Sequence, residues 1–399
     1  MKKIKIITII LFVFFQYNLV FSQKTTSGRL VDSETKQSIS FANISIKNTN
    51  LGTLSNFEGN FVLPITNFPA TILFSHISYE AQEMTIDGNE QNLEVKLKPA
   101  IIILNPVTIT DGYAQELITK TYHKAMENQK KYCFGEFFYR QITKTNSEPF
   151  EIQEIIYEGK CNNSTIIGTL ATQGRYAVKK SQPVEFKNFS TFTKRFGAFP
   201  NDTSKHIGNI LSPIAQEYYN LRVTKIIQGE NQEIAEVEFA NKKGIVSGKL
   251  YIDTKNYLLL KYISRIENHE SFKPKLDNSK YNALNYNIIF EVSFKPYQTN
   301  IILESIKVNY TFDLYKKEKL EYKMDITSYA FFYNTTEHDK GIEYLSPKII
   351  EKDQKTIKKL PYNKEFWQNN PIIKRTPLEE DIIKFFEEAK AFGTMFSDN

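Results

Sequence analysis

The sequence is short of the residues that punctuate or staple a chain. Glycine (16) and proline (14) make up about 4.0% and 3.5% of 399 residues, below the usual ~7% and ~5%, so collagen-like and Gly/Pro-rich disordered classes are excluded. Two cysteines exclude a densely stapled mini-domain. Neither sign of charge dominates, with 51 Lys plus Arg against 45 Asp plus Glu. No uninterrupted apolar run reaches the ~20 residues that span a bilayer. What is abundant is aromatic: Phe 30 and Tyr 23 against one Trp favour pleated, half-buried strands. The length predicts two or three domains at ~100–200 residues each.

Lysines at 2, 3 and 5 precede the apolar run Ile6 to Phe15, and Ser22 follows Val20 and Phe21. This is the pattern of a signal peptide over residues 1–22, cleaved between Ser22 and Gln23. The alternative, an uncleaved anchor extended through Phe21, is interrupted by Gln16, Tyr17 and Asn18. Removing residues 1–22 leaves 48 bases and 45 acids, so the +6 of the whole chain falls to +3. That balance is no nucleic-acid footprint.

Residues 24–98 alternate turn signals with short apolar runs at 27–31, 42–47, 52–55, 60–63, 71–76, 81–86 and 93–97, the spacing of a small β-sandwich. Gly28-Arg29-Leu30-Val31-Asp32, Ile39-Ser40-Phe41-Ala42-Asn43-Ile44, Gly52-Thr53 and Phe57-Glu58-Gly59-Asn60-Phe61 together resemble the carboxypeptidase-D regulatory-like domain, a transthyretin-like sandwich. Ser78 before Tyr79 departs from the glycine usual there. The resemblance implies a seven-stranded, non-catalytic module that accompanies other domains, commonly in envelope proteins of Gram-negative bacteria. In the linker, 99–112, Leu104-Asn105-Pro106-Val107-Thr108-Ile109 is similar to the segment leaving this module in TonB-dependent receptors.

Residues 113–375 read as a larger antiparallel β domain. It opens with an amphipathic helix over 113–130, with Asp111 as candidate cap and Ala114, Leu117, Ile118, Tyr122 and Ala125 as the apolar stripe. Two aromatic runs, 133–145 and 150–161, form a hairpin if centred on Ser147. Partners then sum to 294, which places Phe137 opposite Tyr157, Tyr139 opposite Ile155 and Cys133 opposite Cys161 on one face, with Arg140 opposite Glu154 on the other. The same register sets Glu136 against Glu158. Cys133 and Cys161 are either bridged or small buried apolar residues. Further strands are expected at 221–228, 233–239, 246–253, 257–266, 286–294, 301–312 and 320–332, giving a wide, curled sheet. In order of elements this half is loosely similar to the lipoprotein-carrier fold.

Residues 376–399 open on the capping box Thr376-Pro377-Leu378-Glu379, followed by a helix whose buried stripe is read as Ile382, Phe385, Phe386 and Ala389. Phe366 and Trp367 are expected to anchor this tail.

No catalytic set is recognisable. A metallocarboxypeptidase needs two histidines and a glutamate on zinc plus a glutamate base. His76, His123, His206, His269 and His338 are dispersed, so no metal or other cofactor is expected. A nucleophile elbow, a phosphate loop and a dinucleotide fingerprint are missing too. Lys187, Phe189, Phe192, Lys194 and Arg195 interleave cations with aromatics. They form either a partner-binding loop or a loop whose phenylalanines pack beneath it.

The expected protein is therefore mainly β: an N-terminal seven-stranded transthyretin-like sandwich plus a larger curled antiparallel domain with flanking helices. Its expected role is non-enzymatic, exported binding or assembly in the periplasm or at the outer membrane. Its partner would be an envelope protein, peptide, glycan or lipid rather than nucleic acid, with peripheral membrane association open. The alternatives are an envelope hydrolase with an unrecognised site, or a truncated relative of TonB-dependent receptors.

Overall fold

The computed structural model describes residues 24–49, 51–56, 58–88, 90–103, 112–179, 188–199, 209–229, 232–274, 276, 279–297, 300–347, 352–369 and 377–394. The expected export signal, Asp111, Lys187 and Thr376 fall outside these residues.

The chain is mainly β. Strands β1 (Lys24–Asp32), β2 (Asn43–Ile46), β3 (Gly52–Leu54), β4 (Asn60–Ile65), β5 (Ala70–Ser75), β6 (Gln82–Ile86) and β7 (Leu93–Leu97) build two facing sheets, β4-β1-β7 and β3-β2-β5-β6. Alternation drives the sandwich: Leu30, Ile44, Phe61, Ile72, Phe74 and Val95 are fully buried between the sheets, each contributing about 1.5–3 kcal/mol of apolar burial. The turn before β4 is fixed by Asn56, whose Oδ1 accepts from the backbone N–H of Glu58 and Asn60. Gly59 has φ +77°, and a Cβ there would lie 2.4 Å from the Leu30 carbonyl oxygen, so only glycine fits.

The second sheet has ten strands from residues 133–336 and an eleventh from the linker. The linker strand is β8 (Ile101–Ile103), followed by helix α1 (Tyr113–Glu127) and β9 (Cys133–Thr145), β10 (Glu148–Cys161) and β11 (Ile166–Val178). Then come β12 (Tyr219–Gln228), β13 (Glu233–Asn241), β14 (Val246–Asp253), β15 (Leu259–Glu267), β16 (Tyr281–Tyr297), β17 (Asn300–Lys316) and β18 (Lys319–Thr336). Their order is β11-β10-β9-β18-β17-β16-β15-β14-β13-β12-β8. The sheet stays open, with β11 and β8 at its ends. Gly112 occupies the N-cap position of α1; Asp111, read as its candidate cap, lies outside the described residues.

The β9–β10 hairpin turns on two residues, Asn146 (φ +51°) and Ser147 (φ +71°), the left-handed pair a tight hairpin requires. An irregularity between Pro149 and Glu151 then shifts the register by one, after which Phe137 faces Tyr157, Tyr139 faces Ile155 and Glu154 faces Arg140. Glu136 and Glu158 are opposite each other, and Lys340 Nζ, 3.0 Å from Glu158, relieves the repulsion.

The two faces of this sheet are covered differently. One carries the largest core among the described residues, into which α1 inserts Leu117 and Ile118, and residues 189–199 and 209–215 insert Phe189, Phe199, Leu211 and Ala215. Over β9–β11 the other face is sealed by the C-terminal helix (Pro377–Glu388) and a short helical turn (Ala391–Thr394). The buried positions of the C-terminal helix are Ile382, Ile383 and Phe386, whereas Phe385 is 40% exposed, so Ile383 takes the place expected for Phe385. Leu54 of the sandwich, Phe138, Ile156 and Phe331 of the sheet and Trp367 of the tail close into one cluster.

Candidate functional site

The sandwich meets the large sheet through a mixed apolar and polar seam, Leu54 packing with Phe138, Ile156 and Phe331. Phe41, at φ +58° in the turn before β2, stacks obliquely on Tyr329 of β18 with ring centroids 5.4 Å apart. Lys307 Nζ of β17 stands 4.6 Å over the same Phe41 ring, a cation–π contact. Beside it Asn43 donates from Nδ2 to the Glu304 carboxylate. The linker strand β8 adds itself to the edge of β12, Ile102 opposite Ile227, which ties the two units by backbone pairing.

Between these contacts lies a cleft of about 370 Å³, lined from the sandwich by Phe41, Asn43, Ser75, His76, Ile77 and Tyr79, and from the sheet by Ile227, Ile234, Leu260, Lys261, Ser293, Phe294, Lys295 and Glu304. The volume falls within the ~300–1,000 Å³ range of small-molecule sites. Charged groups gather here without forming one closed network. Lys261 Nζ is 2.6 Å from Glu291, which also has Lys307 at 3.9 Å. Burial opposes ionisation of Glu291, but these two cations outweigh it and hold its carboxyl below the usual range. Burial raises the Glu304 carboxyl, against the pull of Lys295 and Asn43. Burial likewise lowers Lys295, against the attraction of Glu304.

His76 is pushed down to about 4 by burial, reinforced by Lys261 and opposed by Glu291. Its Nδ1 accepts the backbone N–H of Ser78 at 3.2 Å, so the neutral ring carries its proton on Nε2. Perturbed titratable groups collected in a cleft mark a functional-site candidate. Among the described residues the hydrogen bond drawn to the imidazole comes from backbone, and no carboxylate there forms an acid–base pair with it.

Tyr79 lines the same wall of the cleft, its ring centroid 5.4 Å from that of His76. Its hydroxyl donates to Asp32 at 3.0 Å, and its own ionisation is raised to about 12 by burial and by that carboxylate. Asp32 also accepts the backbone N–H groups of Thr35 and Glu34, each at 2.8 Å, and these bonds hold its carboxyl low despite desolvation. This fixes the turn that follows β1.

The residues singled out in the sequence lie elsewhere. Cys133 and Cys161 face each other with Cα atoms 5.3 Å apart and are joined as a disulfide, both buried in the same core as Leu117 and Ile118 of α1. Phe189 is 2% exposed and Phe192 packs against Phe272, Phe290 and Tyr310. The helix α2 (Ser190–Lys194) brings positions 189 and 192 to one face, toward the sheet. The exposed-aromatic version of a binding loop is thereby corrected. Lys194 is likewise turned inward, 3.6 Å from Asp353. Arg195 remains exposed, and Lys187 lies outside the described residues. Among the described residues no group of three or more His, Cys, Asp or Glu could hold a metal ion. Sequence reading missed His76, Lys295 and Glu304 because they meet only across two folding units.

Residues 26–109 match the profile of the CarboxypepD_reg-like domain. The chain carries a carboxypeptidase-D regulatory-like domain. The matched range runs past β7 through the linker strand β8, the piece that joins the large sheet. In carboxypeptidases this regulatory-like domain is non-catalytic. No curated protein matches the sequence. Among solved structures, a LolA superfamily protein from Nitrosomonas europaea is similar at 14% identity, over 60% of this chain and 98% of its own, with a TM-score of 0.22.

Proposed function

We propose that the protein is an exported, non-enzymatic component of the cell envelope that binds or assembles a partner through its carboxypeptidase regulatory-like domain and large β domain. The observation that carries this reading is the cleft between them, walled by a non-catalytic module on one side and the open sheet on the other. The sequence at 1–22, with its lysines, apolar run and Ser22, supports export to the periplasm or outer membrane. Envelope proteins, peptides, glycans and lipids are the partner classes this reading admits, and peripheral membrane association is consistent with it.

Cell fractionation with N-terminal sequencing tests the first half: an envelope protein beginning at Gln23 is expected, and a cytoplasmic chain retaining Met1 would reject it. For the second half, ligand is extracted from the purified full chain and from Ala81→Trp, which fills the cleft from an exposed lining position. Equal yields from both would remove the cleft as the binding site.

A further inference from the structure

The cleft holds two hydrogen-bond donors that have no partner among the described residues. Lys295 has no ion pair or hydrogen bond among the described residues and interacts with Glu304 only through space. The Nε2 of His76, which holds the ring proton because Nδ1 is taken by Ser78, has no partner among them either. The hydroxyls of Ser75 and Ser293 line the same space. The facing acceptors are already engaged or few: Glu291 is held by Lys261, Glu304 takes the Asn43 amide, and Glu80 is the remaining carboxylate on the lining. A half-buried ammonium and a half-buried imidazole N–H left unpaired are costly. An anionic acceptor entering the cleft satisfies both, through charge-assisted hydrogen bonds.

The rest of the wall is apolar. Phe41, Ile77, Ile227, Ile234, Leu260 and Phe294 surround the polar end, so burial of an apolar body accompanies capture of the charge.

Resting on the binding reading above, we infer that the cleft takes a small amphiphile with one anionic head group, carboxylate or phosphate, anchored by Lys295 and His76, its apolar body lying against the wall of Phe41, Leu260 and Phe294. Lys295 supplies the charge and His76 a directed neutral donor. This division suits an oxyanion that presents two oxygens.

Calorimetric titration of the full chain tests this with octanoate, octyl phosphate, octyl glucoside and octyltrimethylammonium, each below its micelle concentration, beside acetate and inorganic phosphate. Octanoate or octyl phosphate is expected to bind at least tenfold more tightly than the neutral and cationic probes and than the headgroup-only anions. Which of the two leads identifies the source of the head. Lys295→Met is expected to lose about tenfold in affinity for the anionic probe, Lys295→Arg to retain it, and both to keep the wild-type circular dichroism spectrum and melting temperature. Equal binding of octyl glucoside or octyltrimethylammonium, or an unchanged affinity in Lys295→Met, would overturn the assignment of the head group. It would leave the binding reading intact provided Ala81→Trp abolishes the signal. Absence of binding by every probe would overturn the assignment together with the cleft as a binding site for amphiphiles of this size.

Discussion

Glu154 of β10 accepts the Nε–H of Arg140, its cross-strand partner on β9, at 2.7 Å, and both side chains are buried. Arg175 from β11, fully buried, also pairs with Glu154, while the C-terminal helix contributes Glu379, 3.2 Å from Arg140, and Glu387, 3.5 Å from Arg175. The Arg175 guanidinium lies between the rings of Trp367 and Phe392, 4.7 and 4.6 Å from their centroids. The tail is thus clamped to the sheet by two arginines that share one central acid.

Removing that acid leaves two buried cations short of a partner. Glu154→Leu is therefore expected to destabilise by about 3–5 kcal/mol, whereas replacing Arg140, Glu154 and Arg175 together with apolar residues of similar volume is expected to recover most of the loss. Urea unfolding at neutral pH measures both. A cost below ~1 kcal/mol for Glu154→Leu would mean that the clamp contributes no more than an exposed pair.

The disulfide closes a loop of 28 residues of sequence separation. In the chain-entropy model a loop of this length contributes roughly 3–4 kcal/mol by restricting the unfolded chain. Cys133→Ala with Cys161→Ala is expected to lower unfolding free energy by about that amount without altering the hairpin register, which rests on Phe137, Tyr139 and Tyr157. Peptide mapping under nonreducing conditions is expected to return the two cysteines as one crosslinked fragment.

Much of the fold was legible because alternation along β9 and β10 admits only one register that keeps Phe137, Tyr139, Ile155 and Tyr157 together. The strand β11 was not legible. Gly168, Ala171, Thr172, Gln173 and Gly174 give it no apolar alternation, because the groups it faces come from far along the chain: a Cβ at Gly168 would lie 2.6 Å from Cβ of Tyr344, and one at Gly174 would lie 3.0 Å from Ile357. Glycine there makes room for another segment, which no local pattern reveals. The cleft was hidden for a related reason. His76 and Lys295 each read as isolated polar residues until the sandwich is laid on the sheet. The alternation of Phe and Lys around 189–195 was visible, but which side faces inward was decided by the large core.

That inward packing sets a further expectation. Phe189 is 2% exposed and its ring lies 5.1 Å from Phe192 and 6.3 Å from Tyr310. Phe189→Ala is expected to cost about 3–5 kcal/mol through lost burial and the cavity left behind. Arg195→Ala, at an exposed position nearby, is expected to stay within ~0.5 kcal/mol. Thermal unfolding of the two variants side by side checks this; equal stabilities would return Phe189 to the surface.

The seam between sandwich and sheet also makes stability depend on pH. His76 titrates at an ordinary 6.5 in the unfolded chain and at about 4 when folded, so between these values the unfolded state binds a proton that the folded state refuses. Stability from this group is present in full above pH ~6.5 and is lost progressively as pH falls toward ~4. The groups facing the ring act in opposite senses: Lys261 deepens the depression and Glu291 eases it. For a ring still partly in contact with solvent, the effect is on the order of 2–3 kcal/mol. Urea midpoints from pH 4 to pH 8 are expected to fall on the acid side in the wild type, and His76→Asn, which cannot titrate there, is expected to flatten that limb while leaving the rest of the profile in place. An unchanged slope in His76→Asn would assign the acid limb to the carboxylates instead, with Glu291, held low by Lys261 and Lys307, the first to examine.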